Sequence, residues 1–384
     1  MKRLTNKLEI LHLDLSISGT NIVYNEYCLP THEKYNVSIC TYFKSEFTPK
    51  KSISLFEGDG SFKGFISVLK RIFAAKEYDV IHIHAQQMGF LYLIALPFFP
   101  KYIISRTVFT PHNCYMNFKL RNRLFLYPCF AAFKKIITCG KASYESFPGF
   151  LKWLAKGKLS CIPNGTNVKR IDNFYAKNGR GPKYKKFTAV TAGALIPRKN
   201  PLTMVKAFHK SGIKNSNLIF MGKGYMDEAI IAESKALGCS ENIILTGVVP
   251  RHDVYATFAR ADLFVFTTRG EGLPIAGLEA MACGCPVLFS DIKPHREIVG
   301  DLDFIPLVHP EDIDGFAREI KRFAEMTPGE RKEIGDKCRK LVLEKFDVAI
   351  MQKRYAKVYA EIIKRKDVEI EALEPIPLHL AKIS

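Results

Sequence analysis

Residues 269–286 read RGEGLPIAGLEAMACGCP, an apolar, glycine-rich stretch in which Glu271 and Glu279 stand with seven residues between them. The preceding run, DLFVFTT, predicts a strand, and Pro274 favours the first position of a helix, where its missing N–H costs little. We expect this helix to end near Gly284. Glu271 would then lie in a strand-to-helix loop, and Glu279 a turn or so into the helix. In a parallel α/β sheet ligands bind at that edge, and a helix N-terminus there favours phosphate.

The rest of the chain alternates short β-rich runs with runs of helical spacing. LEILHLDLSI, VIHIHA and FTAVTAGAL are typical of strands, and SFKGFISVLKRIFAAKE and PLTMVKAFHKS are typical of helices. This order predicts an α/β fold with doubly wound parallel sheets. Because 384 residues are many for a single core, we expect two domains. Residues 167–186 are polar, basic and contain Gly-Arg-Gly-Pro, so we interpret them as an exposed inter-domain connection.

The cysteines and the apolar runs indicate the cellular setting. Ten cysteines are scattered without a C-x-x-C pair, which favours free thiols and argues against structural zinc. Charged residues interrupt the N-terminal apolar run, so we expect no signal peptide. The longest apolar run, residues 88–99, is about twelve residues long, whereas a membrane span needs about twenty. We expect a cytoplasmic protein, either in solution or peripheral on the inner face of the plasma membrane.

The net charge of +19 is concentrated in residues 101–160, which hold eleven Lys and Arg residues and one acid, Glu145. Aromatic residues, among them Phe150 and Trp153, are interleaved with the basic ones. One interpretation is a surface for anionic lipid headgroups. The other is that the aromatics belong to the core and the lysines are merely solvated. Nucleic acid is not an expected partner, because no known binding motif accompanies the charge.

The segment EGLPIAGLEAMACGCPV, residues 271–287, resembles the E-x7-E motif of the retaining glycosyltransferases of family 4, the group 1 glycosyl transferases. The resemblance implies the GT-B fold, in which two Rossmann-like doubly wound domains face a central cleft. It implies an acceptor-side domain over residues 1–167 and a donor-binding domain over residues 168–348. A C-terminal helix, about residues 349–384, would cross back and complete the first domain.

Two segments resemble the places where this family binds the donor's diphosphate. GALIPRKN, residues 193–200, would supply Arg198 and Lys199, whose charges suit a diphosphate with about two to three negative charges. Many members have an arginine where this chain has Ala194, so one expected cation is in question. In SISGTN, Gly19 would let backbone N–H groups approach the distal phosphate, although an ordinary turn is the alternative.

Other segments resemble the family's contacts with the base and the sugar. Gly222, in FMGKG, would lie near the nucleotide, and backbone groups near Val248 and Val249 would face the base. His112, in FTPHN, resembles the histidine that members place against the donor sugar; a core or surface histidine is the alternative.

His82 and His84 alternate on a predicted strand and therefore point to one face, a spacing that fits a pair of metal ligands. No third ligand of the right kind is apparent from the sequence, and the family works without a metal. We therefore expect no metal and no cofactor, and we interpret both histidines as structural or acceptor-side residues.

The resemblance also implies a role for each group at the helix start. Glu271 would hold hydroxyls of the donor sugar, and Glu279 would accept hydrogen bonds from the ribose hydroxyls. Backbone amides near Gly272, Leu273 and Ile275 would donate to the diphosphate as its charge develops.

The function implied is retaining, metal-independent transfer of a sugar from a UDP- or GDP-sugar to a glycan or lipid-linked acceptor. Cell-surface polysaccharide or lipopolysaccharide synthesis would be the setting. One alternative is a GT-B epimerase or phosphorylase, and another is a non-catalytic, membrane-docked nucleotide-sugar-binding protein.

Overall fold

The computed structural model describes residues 7–45 and 47–363, and these residues form two parallel sheets. The first sheet contains β1 (Glu9–Asp14), β2 (Asn36–Thr41), β3 (Ser54–Glu57), β4 (Val80–His84), β5 (Thr107–Thr110), β6 (Lys135–Thr138) and β7 (Leu159–Cys161). The second contains β8 (Phe187–Ala192), β9 (Ser216–Met221), β10 (Ile243–Gly247), β11 (Leu263–Phe266), β12 (Val287–Ser290) and β13 (Leu307–Val308). The part of the predicted C-terminal helix beyond residue 363 lies outside the described residues.

Helices connect the strands and cover both sheets. Those of the first half are α1 (Phe62–Ala75), α2 (Gln86–Ala95), α3 (Leu120–Ala132), α4 (Lys141–Ser146) and α5 (Gly149–Leu154). Those that follow are α6 (Val168–Asn178), α7 (Pro201–Lys210), α8 (Asp227–Ala236), α9 (Arg251–Arg260), α10 (Ile275–Ala282), α11 (Lys293–Val299), α12 (Ile313–Glu325), α13 (Pro328–Lys345) and α14 (Val348–Ile363). Among the described residues, none of the helices combines the length and the apolarity that crossing a bilayer would require.

Across each parallel sheet, the spatial order of the strands changes direction once relative to their order along the chain. The first sheet runs β3-β2-β1-β4-β5-β6-β7, and the second runs β10-β9-β8-β11-β12-β13. In each, the chain winds first to one side and then to the other, so a switch point lies between β1 and β4 and another between β8 and β11. A crevice opens at such a point beyond the carboxyl ends of the strands. The predicted α/β fold with two doubly wound parallel sheets is confirmed.

The last described helix returns to the first sheet. Tyr355 and Tyr359 of α14 are buried in the core that includes residues of β1, β2 and β4. Their hydroxyls contact polar side chains of the sheet, as described below. Over the residues up to 363 the chain thus packs back on the first sheet, while the division into two domains at residue 167 stays a prediction.

Two local expectations were wrong in detail. Residues 167–186 are not simply an exposed connection, because α6 occupies Val168–Asn178 and buries Val168 and Ile171 against the second core. The Asn167 side chain caps its first turn by accepting from the Arg170 amide. The polar composition of this segment belongs to the outer face of an amphipathic helix. Pro274 is the N-cap of α10 rather than its first helical residue.

The contact between α13 and the end of α10 is a testable support of the fold. Gly335 of α13 lies so close to Gly284 that a Cβ atom there would be 2.1 Å from the Gly284 carbonyl oxygen. We expect Gly335→Ala to lower the free energy of unfolding by about 1–3 kcal/mol, since the added methyl group forces the helices apart. Thermal or urea unfolding measures the loss.

Gly329, in the first turn of the same helix, is the matched control. A Cβ atom there would meet only the Thr327 hydroxyl, at 3.8 Å. Gly329→Ala should be neutral or slightly stabilising, because alanine is the better helix former. Equal effects of the two substitutions would contradict the packing argument.

Candidate active site

The carboxyl ends of β8, β9, β10 and β11 bring most of the predicted donor-binding residues of the second half to one edge. The turn Pro197–Lys199 follows β8, and the loop that holds Glu271 follows β11. Because β8 and β11 are neighbours at the switch point, Lys199 and Glu271 meet although they are 72 positions apart in sequence.

Glu271 is a buried carboxylate held by the two predicted phosphate-binding cations. Lys199 Nζ lies 2.5 Å from Glu271 Oε1, and the Arg198 guanidinium lies 3.7 Å from Oε2. Burial alone would raise the pKa of Glu271, but the Lys199 ammonium and the Arg198 guanidinium outweigh it and hold the pKa below its ordinary value. The Lys199 ammonium also lies over the Phe266 ring, 4.9 Å from its centroid. Glu271 is therefore ionised at neutral pH.

The loop around Glu271 touches the first half of the chain. A Cβ atom on Gly272 would lie 2.6 Å from the His112 carbonyl oxygen and 2.9 Å from Cys139 Sγ, so only glycine fits. The Asn117 side-chain amide donates to the Glu271 carbonyl oxygen at 3.0 Å. The backbone of His112 and the loop that holds Glu271 therefore meet at the cleft between the two halves.

The start of α10 offers backbone donors beside Glu271. The helix begins at Ile275, and its N-cap, Pro274, provides no side-chain hydrogen bond. Within the described part of the chain, the amides of Gly272, Leu273 and Ile275 make no hydrogen bond. Such amides, at the positive end of a helix, are suited to an anion.

Glu279 lies deeper in α10 and is surrounded by cations and a phenol. Arg251 Nη1 lies 3.0 Å from Glu279 Oε1, Arg170 Nη2 lies 3.7 Å from it, and the Tyr255 hydroxyl donates to it at 3.2 Å. A ligand hydroxyl at Glu279 would have to share the carboxylate with these donors.

A second carboxylate, Glu26 of the first half, shares both arginines. Its Oε1 is 2.8 Å from Arg170 Nη2 and 2.7 Å from Arg251 Nη1, and the side chain has no exposed surface. Burial raises the pKa of Glu279; Arg251 opposes the rise, and the charge of Glu26 adds to it. Two carboxylates and two guanidinium groups thus form an ion cluster between the halves. We call Glu26, Arg170, Arg251 and Glu279 the four-ion cluster.

The remaining predicted donor-binding positions lie around this edge. Gly222 has φ +145°, and a Cβ atom there would be 2.0 Å from the Gly193 carbonyl oxygen, so its backbone packs directly on the loop after β8. Val248 is exposed, and Val249 packs against the second core. Gly19 lies in an exposed loop of the first half.

Two further positions, Ala194 and Thr20 beside Gly19, lie on opposite sides of this edge. Ala194 is exposed beside the Lys199 turn, and the Arg198 guanidinium donates to the Gly270 carbonyl rather than reaching toward Ala194. On the opposite side, Arg251 Nη2 donates to the Thr20 carbonyl oxygen at 3.3 Å. The Gly19 loop is therefore joined to the four-ion cluster.

The expectation that His82 and His84 lack a third partner was wrong. His12 of β1 lies beside them, because β1 and β4 pair with His12 opposite His82. The ligand atoms of His12, His82 and His84 all lie within 4.8 Å of one another. His84 also contacts His112, with 2.9 Å between His84 Nδ1 and His112 Nε2. The histidines thus form one buried group that ends at the cleft.

Sequence reasoning identified the E-x7-E glutamates, the Arg-Lys pair and His112, and missed the groups that hold them. Glu26 had a usable signal, since it is a lone carboxylate in the apolar run IVYNEYCL. His12 lies in a strand whose pattern resembles that of β4. Arg170 and Arg251 gave no such sequence signal, because Arg170 lies in a basic segment and Arg251 at an ordinary helix start.

Two family models match the chain. The model described as glycosyl transferases group 1 matches residues 175–341, and the model described as Glycosyltransferase Family 4 matches residues 33–170. The first contains the E-x7-E segment and the Arg-Lys pair, and the second contains His112. This chain belongs to the group 1 glycosyltransferases of family 4, and its fold is GT-B.

Individual relatives are similar over nearly the whole chain. UDP-Gal:alpha-D-GlcNAc-diphosphoundecaprenol alpha-1,3-galactosyltransferase of Escherichia coli is 24% identical over 400 aligned positions, which cover 95% of this chain and 100% of the relative. Sucrose-phosphate synthase from Thermosynechococcus elongatus superposes with a TM-score of 0.76 at 16% identity, covering 93% and 100% of the two chains. HepE from Anabaena, in complex with UDP and glucose, has a TM-score of 0.71 at 18% identity, covering 92% and 100%. The two structures show the likeness of fold.

The Lys199–Glu271 pair predicts a pH-dependent effect on stability. We expect Lys199→Met to lower the melting temperature at pH 7. Breaking an exposed ion pair costs about 0–1 kcal/mol of unfolding free energy and breaking a fully buried one about 3–5 kcal/mol, and the cost here should lie between these limits. Because the pair depresses the pKa of Glu271, its stabilisation is present above the unfolded-state pKa of about 4.3 and is lost as pH falls through the folded-state pKa. The difference in melting temperature between variant and wild type should therefore shrink from pH 7 to about pH 3, which lies below the unfolded-state pKa.

Lys210→Met is the control, because Lys210 pairs with Asp314 while both side chains are more than half exposed. It should change the melting temperature little at either pH. A Lys199→Met effect that stays constant across this range would show that Glu271 is not held ionised by the pair.

Proposed function

We propose that this chain transfers a sugar, with retention of anomeric configuration and without a metal ion, from a nucleotide-diphosphate sugar to a lipid-linked glycan acceptor. The observation that carries the proposal is the buried Lys199–Glu271 pair beside the unpaired amides at the start of α10. It combines a cation, N–H donors and a hydroxyl acceptor at one edge of the sheet.

The charge changes of such a transfer match these groups. As the bond between the anomeric carbon and the diphosphate breaks, negative charge develops on the leaving oxygens and positive charge on the sugar ring. Lys199, Arg198 and the amides of Gly272 and Leu273 would stabilise the leaving group, in place of a metal ion. Glu271 would accept hydrogen bonds from sugar hydroxyls and hold the ring.

Retention follows if the acceptor enters on the face that the diphosphate leaves. The acceptor oxygen bonds to the anomeric carbon, the carbon–phosphate oxygen bond breaks, and the acceptor's proton passes to the departing phosphate oxygen. No enzymic nucleophile takes part in this sequence. His112, across the cleft from Glu271, would orient the sugar during the exchange.

A lipid-diphosphate acceptor is supported by two observations. The Escherichia coli relative is named for transfer to a sugar on diphosphoundecaprenol. In this chain, large apolar side chains on α3, α5 and the preceding loop are exposed by 58–74%, namely Met116, Leu120, Leu124, Phe150 and Trp153. We call these five residues the α3–α5 face.

The α3–α5 face has the character of a surface for an anionic bilayer. Leu120 and Leu124 are four residues apart on α3 and so share one side of the helix. The Phe150 and Trp153 rings stack on α5, with centroids 5.5 Å apart. The face lies within residues 101–160, which contain eleven basic residues and one acidic residue. Other aromatics of this segment, Phe118, Phe130, Phe133 and Phe147, are buried in the core.

The first test of the proposal is Glu271→Gln, which removes the charge of the sugar-holding carboxylate and keeps its shape. We expect at least a tenfold lower rate of nucleotide release from the nucleotide sugar that the wild type uses, with an unchanged circular dichroism spectrum. UDP-galactose and GDP-mannose are the first donors to try, with a lipid-diphosphate-linked sugar as acceptor. Chelation by EDTA should leave the wild-type rate unchanged.

Glu311→Gln is the matched control, because Glu311 forms an exposed pair with Arg269 close to the same edge. It should keep the wild-type rate. Wild-type turnover by Glu271→Gln, or a product with inverted anomeric configuration, would overturn the mechanism. Donor binding without turnover would indicate a nucleotide-sugar-binding protein, and an isomerised or phosphorolysed sugar would indicate an epimerase or a phosphorylase.

The second test concerns the membrane. The double substitution Leu120→Glu and Leu124→Glu should weaken co-sedimentation with phosphatidylglycerol vesicles at least tenfold, since burying one leucine contributes about 1.5–3 kcal/mol. Ile231→Glu on α8, an exposed apolar residue of the second half, is the control and should bind as the wild type does. Equal binding of all three proteins would exclude the α3–α5 face as the docking surface.

A further inference from the structure

A row of three histidines leads from the interior of the first sheet to the cleft. His12 Nδ1 lies 3.0 Å from His84 Nε2, and His84 Nδ1 lies 2.9 Å from His112 Nε2. The three rings are nearly parallel, with interplanar angles of 17° and 14° between neighbours. His12 and His84 are fully enclosed on β1 and β4, whereas His112 follows β5 at the cleft.

The far nitrogen of His112 is the unusual atom of this row. His112 Nδ1 is shielded from solvent and has no hydrogen-bond partner among the described residues. An unpaired buried polar atom costs free energy, typically about 1–3 kcal/mol. Because His112 follows β5 at the cleft, this nitrogen suits a contact that a ligand completes.

The protons of the row are linked to one another. Burial lowers the pKa of His12 to about 3, that of His112 to about 4 and that of His84 well below its ordinary value, so all three rings are neutral near pH 7. Each neutral ring carries one N–H, and each of the two contacts uses one. The third N–H must then lie at one end of the row, on His112 Nδ1 or on His12 Nε2. Whichever tautomer His112 adopts, His84 and His12 adopt the matching one.

His82 does not interrupt this row, because both of its ring nitrogens have other partners. Tyr359 lies 2.8 Å from its Nδ1, and Thr110 lies 2.8 Å from its Nε2. Both nitrogens of His84 are likewise used, by His12 and His112. Both nitrogens of His82 and of His84 are thus used in hydrogen bonds within the protein, and a metal ion there would have to break these contacts.

In the hydrogen bonds around His82, the donor and the acceptor of each bond are also fixed. Tyr27 must donate to the Asn164 carbonyl oxygen, and each further hydroxyl then donates in turn. The sequence of donors is Tyr359 to His82, His82 to Thr110, Thr110 to Tyr355, Tyr355 to Tyr27 and Tyr27 to Asn164. The row beside it is therefore packed against a rigid, hydrogen-bonded layer.

We infer that His84 and His12 are positioning residues for His112: they hold its Nε2 and couple its tautomer to theirs, so that Nδ1 is the atom presented to the donor sugar. The inference rests on the proposed function for the identity of the ligand. His84 and His12 touch no substrate in this arrangement. They act through the ring of His112.

Replacing His84 by Asn or by Gln tests its two contacts one at a time, because the two side-chain amides lie at different distances from the backbone. The amide of Asn sits where imidazole Nδ1 does, and the amide of Gln reaches the position of Nε2. His84→Asn keeps a partner for His112, whereas His84→Gln keeps a partner for His12 only. Both substitutions bury the same chemical group, so the general cost of a buried amide is matched between them.

The first readout is the tautomer of His112, measured by 15N NMR of histidine-labelled protein. We expect the His112 Nε2 signal of a hydrogen-bonded ring nitrogen in the wild type and in His84→Asn, and a shifted signal and changed tautomer populations in His84→Gln. His295 is the internal control, because its Nδ1 is held by the Ser290 carbonyl oxygen at 2.7 Å in the other half. Unchanged His112 shifts in His84→Gln would overturn the inference, and so would a stoichiometric metal ion bound to the purified protein.

The second readout is binding and turnover of the donor. Calorimetric titration gives the affinities for UDP-galactose, GDP-mannose and each free nucleotide, and an activity assay gives kcat/KM. His84→Gln should keep the affinity for the free nucleotide and lose at least tenfold in kcat/KM. His84→Asn should stay within about threefold of the wild type. Equal turnover by both variants would overturn the inference.

Failure of the proposed function would look different. The wild type itself would then not turn over any nucleotide sugar, and the tautomer measurement would still report whether His84 controls His112. If His84→Gln does not fold, the pair His12→Asn and His12→Gln tests the same row one step further from the cleft. Only the Asn variant keeps the contact from position 12 to His84 Nε2.

Discussion

The buried carboxylate of Glu26 is the constraint on which the arrangement of the two halves depends. It belongs to the first half, has no exposed surface, and is balanced by Arg170 and Arg251 from beyond the first sheet. Taking an ion out of water costs several kcal/mol unless its partners compensate, so the halves are held where these arginines reach it. The same arginines contact Glu279. The contact between the two halves and the carboxylate predicted to bind ribose therefore share the same cations.

Other contacts across the cleft use the same close fit. The loop at Gly272 meets the backbone of His112, and Glu297 of α11 accepts from the amides of Lys141 and Ala142, both at 2.8 Å. Each contact joins a segment that follows a strand of one sheet to a segment that follows a strand of the other. The carboxyl edges of the two sheets thus face each other, and the candidate site is made from both. Neither half holds His112 and Glu271 together by itself.

The sequence predicted the fold, and it placed the candidate residues of the second half at one edge of a sheet, because those signals are local. Strand and helix periods lie within ten to twenty residues, and Glu271, Glu279, Arg198 and Lys199 stand in segments with a recognisable pattern. The missed groups depend on pairing between distant strands. His12 joins His84 only because β1 lies beside β4, and Glu26 meets Arg251 only when the halves close. Composition misled the interpretation of residues 167–186, since one apolar side of α6 is enough to bury a largely polar helix.

The two kinds of buried polar group suit different parts of the molecule. The ions of the four-ion cluster lie between the two halves, where the two guanidinium groups offset the desolvation of the two buried carboxylates. The histidines and tyrosines of the first half lie between the sheet and α14, where water does not reach, and an unpaired group there would bear its full desolvation cost. The neutral network is therefore confined to the first half and α14. The His112 ring is held by the first half alone, whereas the surroundings of Glu279 also include Glu26 of the first half through the shared arginines.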